Sequence, residues 1–156
     1  MRRRRFLSYL LTVALAAVGI VTVANPAAAA PPSLCTGLGF TNGRYVSTNN
    51  AKNGNGAHLA ATLCWQPLGG SPGMYHTYTY WRITDNAANG AGATIRLEWL
   101  DFNDRKHYRV PENHMRAWEY GETEAGGMTL TSINSLYVRA CLTNTNSPAH
   151  HCGPAA

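Results

Sequence analysis

The sequence predicts an all-β, single-domain antiparallel β-sandwich of seven or eight strands that carries two disulfides. Short runs rich in Thr, Tyr, Val, Ile and Trp recur from residue 43 to residue 143, and such runs are typical of β-strands. Clusters of Gly, Asn and Pro separate these runs, and no window keeps a helical apolar period beyond two turns. An immunoglobulin-like sandwich and a small barrel remain as alternatives.

Each predicted strand ends at a turn-forming cluster. The clusters of seven or more residues are 49–56 (NNAKNGNG), 67–73 (PLGGSPG), 85–92 (DNAANGAG) and 121–127 (GETEAGG). The predicted strands span residues 43–48, 58–66, 75–84, 94–102, 107–110, 115–120, 128–133 and 135–143.

Alternation of apolar and polar residues assigns faces to three of these strands. In the fourth strand, Ile95, Leu97 and Trp99 point to one side, and Arg96 and Glu98 point to the other. The second and last strands alternate in the same way, with their apolar residues on the core side.

The four cysteines, Cys35, Cys64, Cys141 and Cys152, are an even number downstream of an export signal, which predicts two disulfides. Cys64 and Cys141 both fall on the side of their strands that faces away from the core. A bridge between these two across the core, as in an immunoglobulin domain, is therefore disfavoured. Local pairing of Cys35 with Cys64 and of Cys141 with Cys152 is favoured.

The N-terminus has the three parts of a secretory signal peptide. Arg2 to Arg5 precede an apolar run over residues 6–24, and Ala27 to Ala30 provide small residues for a signal peptidase. We predict a signal peptide over residues 1–29 and a single secreted, extracellular β-domain over residues 30–156. An uncleaved membrane anchor is the alternative, and both the general and the twin-arginine export routes remain open.

Most of the net positive charge of the chain belongs to the predicted signal peptide. The whole chain carries +5, but without Arg2 to Arg5 nine basic residues face eight acidic ones, which leaves about +1. Nucleic-acid binding depends on many cations that neutralise phosphates, so we predict no nucleic-acid partner. For the same reason we predict no membrane association after signal cleavage.

No nucleophile motif and no phosphate-binding loop is present in the sequence. A polysaccharide hydrolase would need two carboxylates that face each other, for which Glu112, Glu119, Glu122 and Glu124 are candidates, although three of them lie in or beside a Gly-rich turn. A protease inhibitor would need an exposed braced loop, for which residues 143–151 qualify. The sequence favours a non-catalytic binding module over both.

We predict no cofactor and no metal. His150, His151 and Cys152 would bind a transition metal only with a free thiolate, and a disulfide at Cys152 removes that thiolate. The binding prediction rests instead on an aromatic and charged platform on one sheet face, able to stack a sugar ring or to contact a protein. The predicted platform residues are Tyr78, Tyr80, Arg82, Arg96, Glu98, Tyr137 and Arg139.

Four short segments carry a resemblance to a known group of proteins. They are residues 84–90 (TDNAANG), 96–99 (RLEW) and 137–141 (YVRAC), and the closing pair Cys152-Gly153. In these segments the chain resembles small exported all-β proteins of high-GC Gram-positive bacteria, which have no established activity. The resemblance implies export and an all-β fold, and no catalytic residue carries over from it.

We expect the secreted protein to begin at Ala30, because Ala27 and Ala29 satisfy the small-residue requirement of signal peptidase. Intact-mass measurement of protein recovered from the culture medium of an expressing bacterium tests this. A mass that still includes residues 1–29 would show that the segment is not removed.

Overall fold

Two antiparallel sheets pack face to face in this computed structural model, which describes residues 31–50 and 55–156. The predicted signal peptide, residues 1–29, lies outside the described residues. The elements are a short helix α1 (Ser33–Gly37), strands β1 (Asn42–Asn49), β2 (Ala57–Pro67), β3 (Tyr75–Asp85), β4 (Gly92–Leu100) and β5 (Lys106–Arg109), a 3-10 helix (Asn113–Met115), and strands β6 (Thr123–Ile133) and β7 (Ser135–Thr143).

Sheet A has the strand order β1-β2-β3-β6, and sheet B has the order β5-β4-β7. The described strands form two open sheets, so the predicted antiparallel sandwich is confirmed and the small barrel is not formed. The order also differs from an immunoglobulin domain, in which the second and third strands lie in opposite sheets. Here β2 and β3 pair with each other along their whole length.

The core lies between the sheets and follows the predicted alternation. In β3, Trp81 and Ile83 are fully buried, whereas Tyr80 and Arg82 are exposed. β4 packs over β2 and β3, and β7 packs over β1 and β2. The core cluster is formed by Ala57, Leu59, Ala61, Leu63, Trp81, Ile83, Ala93, Ile95, Leu97, Ala117, Val138, Ala140 and Leu142.

The first disulfide joins Cys35 to Cys64 and holds the N-terminal segment against the outer face of sheet A. Cys35, Phe40 and Cys64 form a second small core there, with Tyr78 packed against it. The Phe40 ring stacks on His76, with 5.4 Å between the ring centroids. This disulfide therefore covers part of an outer sheet face that would otherwise meet solvent.

The second disulfide joins Cys141 to Cys152, as the face assignment favoured, and holds the C-terminal tail along the free edge of β7. The Gly153 amide donates to the Ala140 carbonyl at 2.8 Å, and the Ala156 amide donates to the Val138 carbonyl at 3.0 Å. An uncovered strand edge invites pairing with another chain. The tail therefore provides hydrogen-bond partners for the β7 edge from within the same chain.

The predicted strand over residues 115–120 is wrong. The segment holds the end of the 3-10 helix and a single bridge, at Ala117, which exchanges two hydrogen bonds with Ala93. The next two amides bond to a side chain, since the Glu122 carboxylate accepts hydrogen bonds from the amides of Trp118 and Glu119. A local carboxylate thus replaces the ladder partners that a strand needs.

The predicted turn over residues 121–127 is also too long, because β6 already begins at Thr123. The sequence pair Gly126-Gly127 predicts a turn, but both glycines lie within strand β6. A Cβ added at Gly126 would lie 2.5 Å from Cζ2 of the buried Trp81 ring. A Cβ added at Gly127 would likewise clash with the hydroxyl of Tyr78. These glycines admit aromatic rings from the neighbouring strand.

Within residues 31–50 and 55–156, none of the helices combines the length and the apolar character that crossing a membrane requires.

We expect Gly126→Ala to lower the free energy of unfolding by about 1–3 kcal/mol, because the added methyl group meets a fully buried ring that has no room to move. Urea denaturation followed by far-ultraviolet circular dichroism measures this. Gly69→Ala is the matched control, since no heavy atom lies within 4 Å of its added Cβ. Equal stability of the two variants would contradict the close packing at Gly126.

Candidate functional site

The structure divides the predicted binding platform between two sheets. Tyr78, Tyr80 and Arg82 lie on β3 in sheet A, whereas Arg96 and Glu98 lie on β4 in sheet B. The remaining two predicted residues, Tyr137 and Arg139, lie on β7, also in sheet B. The outer faces of the two sheets look in opposite directions. The prediction of one continuous platform is therefore wrong, because the chain crosses between the sheets after β3.

Sheet A presents a set of outward residues that we name the open face. Across β1, β2 and β3, Tyr45 lies beside Thr62, and Thr62 lies beside Tyr80. In the next row Ala60 lies beside Arg82. The small side chains on β2 form the floor of a shallow depression of ≈ 340 Å³ between the two tyrosines. The open face consists of Tyr45, His58, Ala60, Thr62, Tyr80 and Arg82.

The two tyrosine rings of the open face are accessible, since Tyr45 is 64% exposed and Tyr80 is 37% exposed. Tyr78 is different, because its ring leans over Gly127 and packs on the small core around Cys35. Tyr78 therefore supports the covered part of the sheet and leaves the open face to the other two rings.

Polar groups surround the depression. Ser47 Oγ and His58 Nε2 form a hydrogen bond of 3.0 Å, and the hydroxyls of Thr84 and Thr123 form one of 2.8 Å. Arg82 is exposed and has no ion pair within the described part of the chain. The open face thus combines two aromatic rings, one free cation and several hydrogen-bonding groups.

Sequence reasoning missed Tyr45 and His58. Both lie in predicted strands, and both point outward by alternation. Pairing the first two predicted strands as a hairpin would have placed them beside β3. The long turn cluster between those strands, residues 49–56, left the register undefined, because register is set by the loop length and turn geometry.

The outer face of sheet B carries a buried charge cluster. The Glu98 side chain is only 6% exposed, and its Oε1 accepts hydrogen bonds from Arg96 Nη2 and, at 3.0 Å, from Arg139 Nε. Arg139 also donates to the Gly153 carbonyl at 2.8 Å, which ties the cluster to the C-terminal tail. Burial by itself raises the pKa of Glu98, but the hydrogen bonds and charges of the two arginines outweigh burial and lower it.

Two exposed tyrosines flank this cluster. In the row that contains Glu98, Tyr108 of β5 lies on one side and Tyr137 of β7 lies on the other. The Arg96 guanidinium lies 5.7 Å from the centroid of the Tyr108 ring. The arginines here contact a carboxylate, a tyrosine ring and the tail of the same chain. The positive charges of these two arginines are therefore largely compensated by groups of the same chain.

Two carboxylates hold turns, and one of them, Glu122, is among the four residues predicted as hydrolysis candidates. Asp85 is buried, and it accepts a hydrogen bond from the Ala87 amide at 3.1 Å. Burial raises the pKa of Asp85, the Ala87 amide lowers it, and the nearby charge of Glu122 raises it further. The Glu122 carboxylate accepts hydrogen bonds from the amides of Trp118 and Glu119, which follow the 3-10 helix. Neither carboxylate lines the open-face depression.

The histidines of the tail contact each other rather than a common point. His150 Nδ1 and His151 Nδ1 lie 2.6 Å apart, and Cys152 is in a disulfide. Burial lowers the pKa of His150, and the adjacent His151 lowers it further. The described residues contain no group of three or more His, Cys, Asp or Glu side chains placed to hold a metal ion.

Comparisons with known proteins give little that bears on function. No family model matches the chain, and no curated protein matches it. Three solved chains match. One belongs to a crystal structure of a Bordetella pertussis protein that carries the name ApaA, with 16% identity over 72% of this chain and 89% of that chain and a TM-score of 0.34. At this TM-score the likeness carries no inference about function.

We expect Glu98→Gln to lower the free energy of unfolding at neutral pH by about 1.5–3 kcal/mol, because two arginines lose a charged hydrogen-bond acceptor. The pKa of Glu98 is lowered from 4.5 in the folded state, so its stabilisation is present above 4.5 and is lost as the pH falls through the folded value. The difference between the two proteins should therefore shrink in acid.

Urea denaturation at neutral and acidic pH measures this difference. Glu119→Gln is the matched control, because Glu119 is exposed and has no ion pair in the part of the chain that the structure describes. A stability difference for Glu98→Gln that stays constant with pH would contradict the role of the charge.

Proposed function

We propose that this protein is a secreted, non-catalytic binding module, extracellular or associated with the cell wall, and that the open face of sheet A binds polysaccharide. Two disulfides are typical of an oxidising compartment, which supports export. The basic and apolar pattern of residues 1–29 supports the same conclusion, as does the resemblance to small exported proteins.

The observation that carries the proposal is the pair of accessible tyrosines on either side of a floor of small residues. Tyr45 and Tyr80 lie on β1 and β3, with β2 between them, so the strands that carry them are roughly 10 Å apart. Sugar rings present flat C–H faces that pack on aromatic rings. Ala60 and Thr62 leave room for a chain to lie across the sheet.

The polar groups of the open face suit the hydroxyls at the edges of a sugar ring. His58, Arg82 and the hydroxyls of Thr84 and Thr123 line or border the same depression. An aromatic surface with hydrogen-bonding groups at its rim is favoured for binding partners that are apolar on one side and polar on the other. A glycan chain has this chemistry.

The two rival functions have less support. A hydrolase needs two carboxylates across a cleft, but none of the four candidate glutamates lines the mapped cavities, and Glu122 is committed to two backbone amides. An inhibitor needs an exposed, extended loop. In residues 143–151, the Asn144 side chain accepts the amides of Asn146 and Ser147 and closes a tight turn.

The test is a pull-down on insoluble polysaccharides and on purified bacterial cell wall. We expect the wild-type protein to be retained on at least one of these, and Tyr45→Ala and Tyr80→Ala each to lose retention several-fold, because each removes a stacking ring.

Tyr108→Ala is the matched control, since Tyr108 is 68% exposed but lies on sheet B. Circular dichroism verifies that all three variants fold. Retention that is equal in the wild type and both open-face variants, or equally reduced in the Tyr108 variant, would remove the open face as the binding surface.

A further inference from the structure

A cavity opens between the sheets at the end of the sandwich where the chain crosses from β6 to β7, and we name it the mouth cavity. Its volume is ≈ 240 Å³. Residues from both sheets line it, so it exists only because sheets A and B separate at this end. The lining residues are Arg44, Leu63, Cys64, Trp65, Tyr75, Thr77, Ile133, Asn134, Ser135 and Leu136.

Most of the cavity wall is apolar or aromatic. Leu63 and Ile133 are buried on the core side, and Trp65, Tyr75 and Leu136 are partly accessible. Two aromatic side chains at the opening of a cavity with apolar walls favour an apolar or aromatic ligand. The volume suits a small molecule rather than a chain, since it is below the roughly 300–1,000 Å³ of typical drug-sized sites.

The one charged side chain of the cavity points to a negative charge on the ligand. Arg44 is its one charged lining residue, and it has no ion pair within the described part of the chain. The Arg44 guanidinium is therefore available to pair with an anionic group on a ligand.

We infer that the mouth cavity is a binding site for a small aromatic carboxylate. The ring lies between Trp65, Tyr75 and Leu136, and the carboxylate accepts hydrogen bonds from the Arg44 guanidinium. An uncharged aromatic compound leaves the arginine unused, and an aromatic amine places a like charge beside it.

This site is separate from the open face. Arg44 and Tyr45 are neighbours in β1, but alternation sends Arg44 toward the space between the sheets and Tyr45 outward. The two binding events therefore depend on different residues, and either can fail without the other.

The experiment is a titration of the folded protein, residues 30–156, with phenylacetate, 3-phenylpropionate and indole-3-acetate, followed by amide chemical shifts in NMR spectra. Phenylacetamide is the uncharged isostere and phenethylamine is the cationic one. For ligands of about ten non-hydrogen atoms we expect dissociation constants near 1 mM. The chemical-shift changes should concentrate at Ile133 to Leu136. Phenylacetamide and phenethylamine should each bind at least several-fold more weakly than the carboxylates.

Arg44→Gln should weaken binding of the carboxylates about tenfold or more and leave binding of phenylacetamide within twofold. Arg109→Gln is the matched control, because Arg109 is an exposed arginine on β5 outside the cavity. The inference is overturned if none of the three carboxylates shifts the cavity signals at millimolar concentration. It is equally overturned if acid and amide bind alike, or if Arg44→Gln binds phenylacetate as the wild type does.

Discussion

The indole ring of Trp81 lies fully buried between the two sheets and rests on Gly126 of the neighbouring strand. Much of sheet A depends on this contact, because only a residue without a Cβ lets β6 approach the ring closely enough to pair with β3. Once Trp81 points into the core, alternation turns Tyr80 and Arg82 outward. The accessible surface of sheet A is therefore a consequence of how its interior packs.

The two disulfides decide which parts of the outer surface remain accessible. Each joins a strand residue on the side away from the core to a segment outside the sheets, and each holds that segment against the sandwich. The bridge at Cys64 covers the part of the outer face of sheet A around Cys64 and Tyr78 and leaves the part around Tyr45 open. The bridge at Cys141 places the tail along β7 and so closes that edge.

The distribution of charge separates structural from functional surfaces. Glu98 is buried with two arginines that contact it, and Asp85 is buried against a turn amide. Arg44 and Arg82 border the two cavities and have no ion pair in the described residues. A cation that the fold does not use, placed beside exposed aromatic rings, is available for a ligand. Both proposed sites have this composition, although they lie on opposite sides of sheet A.

The sequence by itself determined the all-β class, the inward faces of the alternating strands and the local cysteine pairing, because period-two patterning reports which side of a strand meets a core. Only the tertiary structure decided which sheet each strand joins. Alternation is the same whichever partner a strand takes, so Tyr80 and Tyr137 looked like parts of one platform. The pair Gly126-Gly127 indicated a turn for a similar reason. Local composition shows that these two positions carry no side chain. Only the packing of the folded chain shows that aromatic rings from β3 occupy the space that side chains would fill.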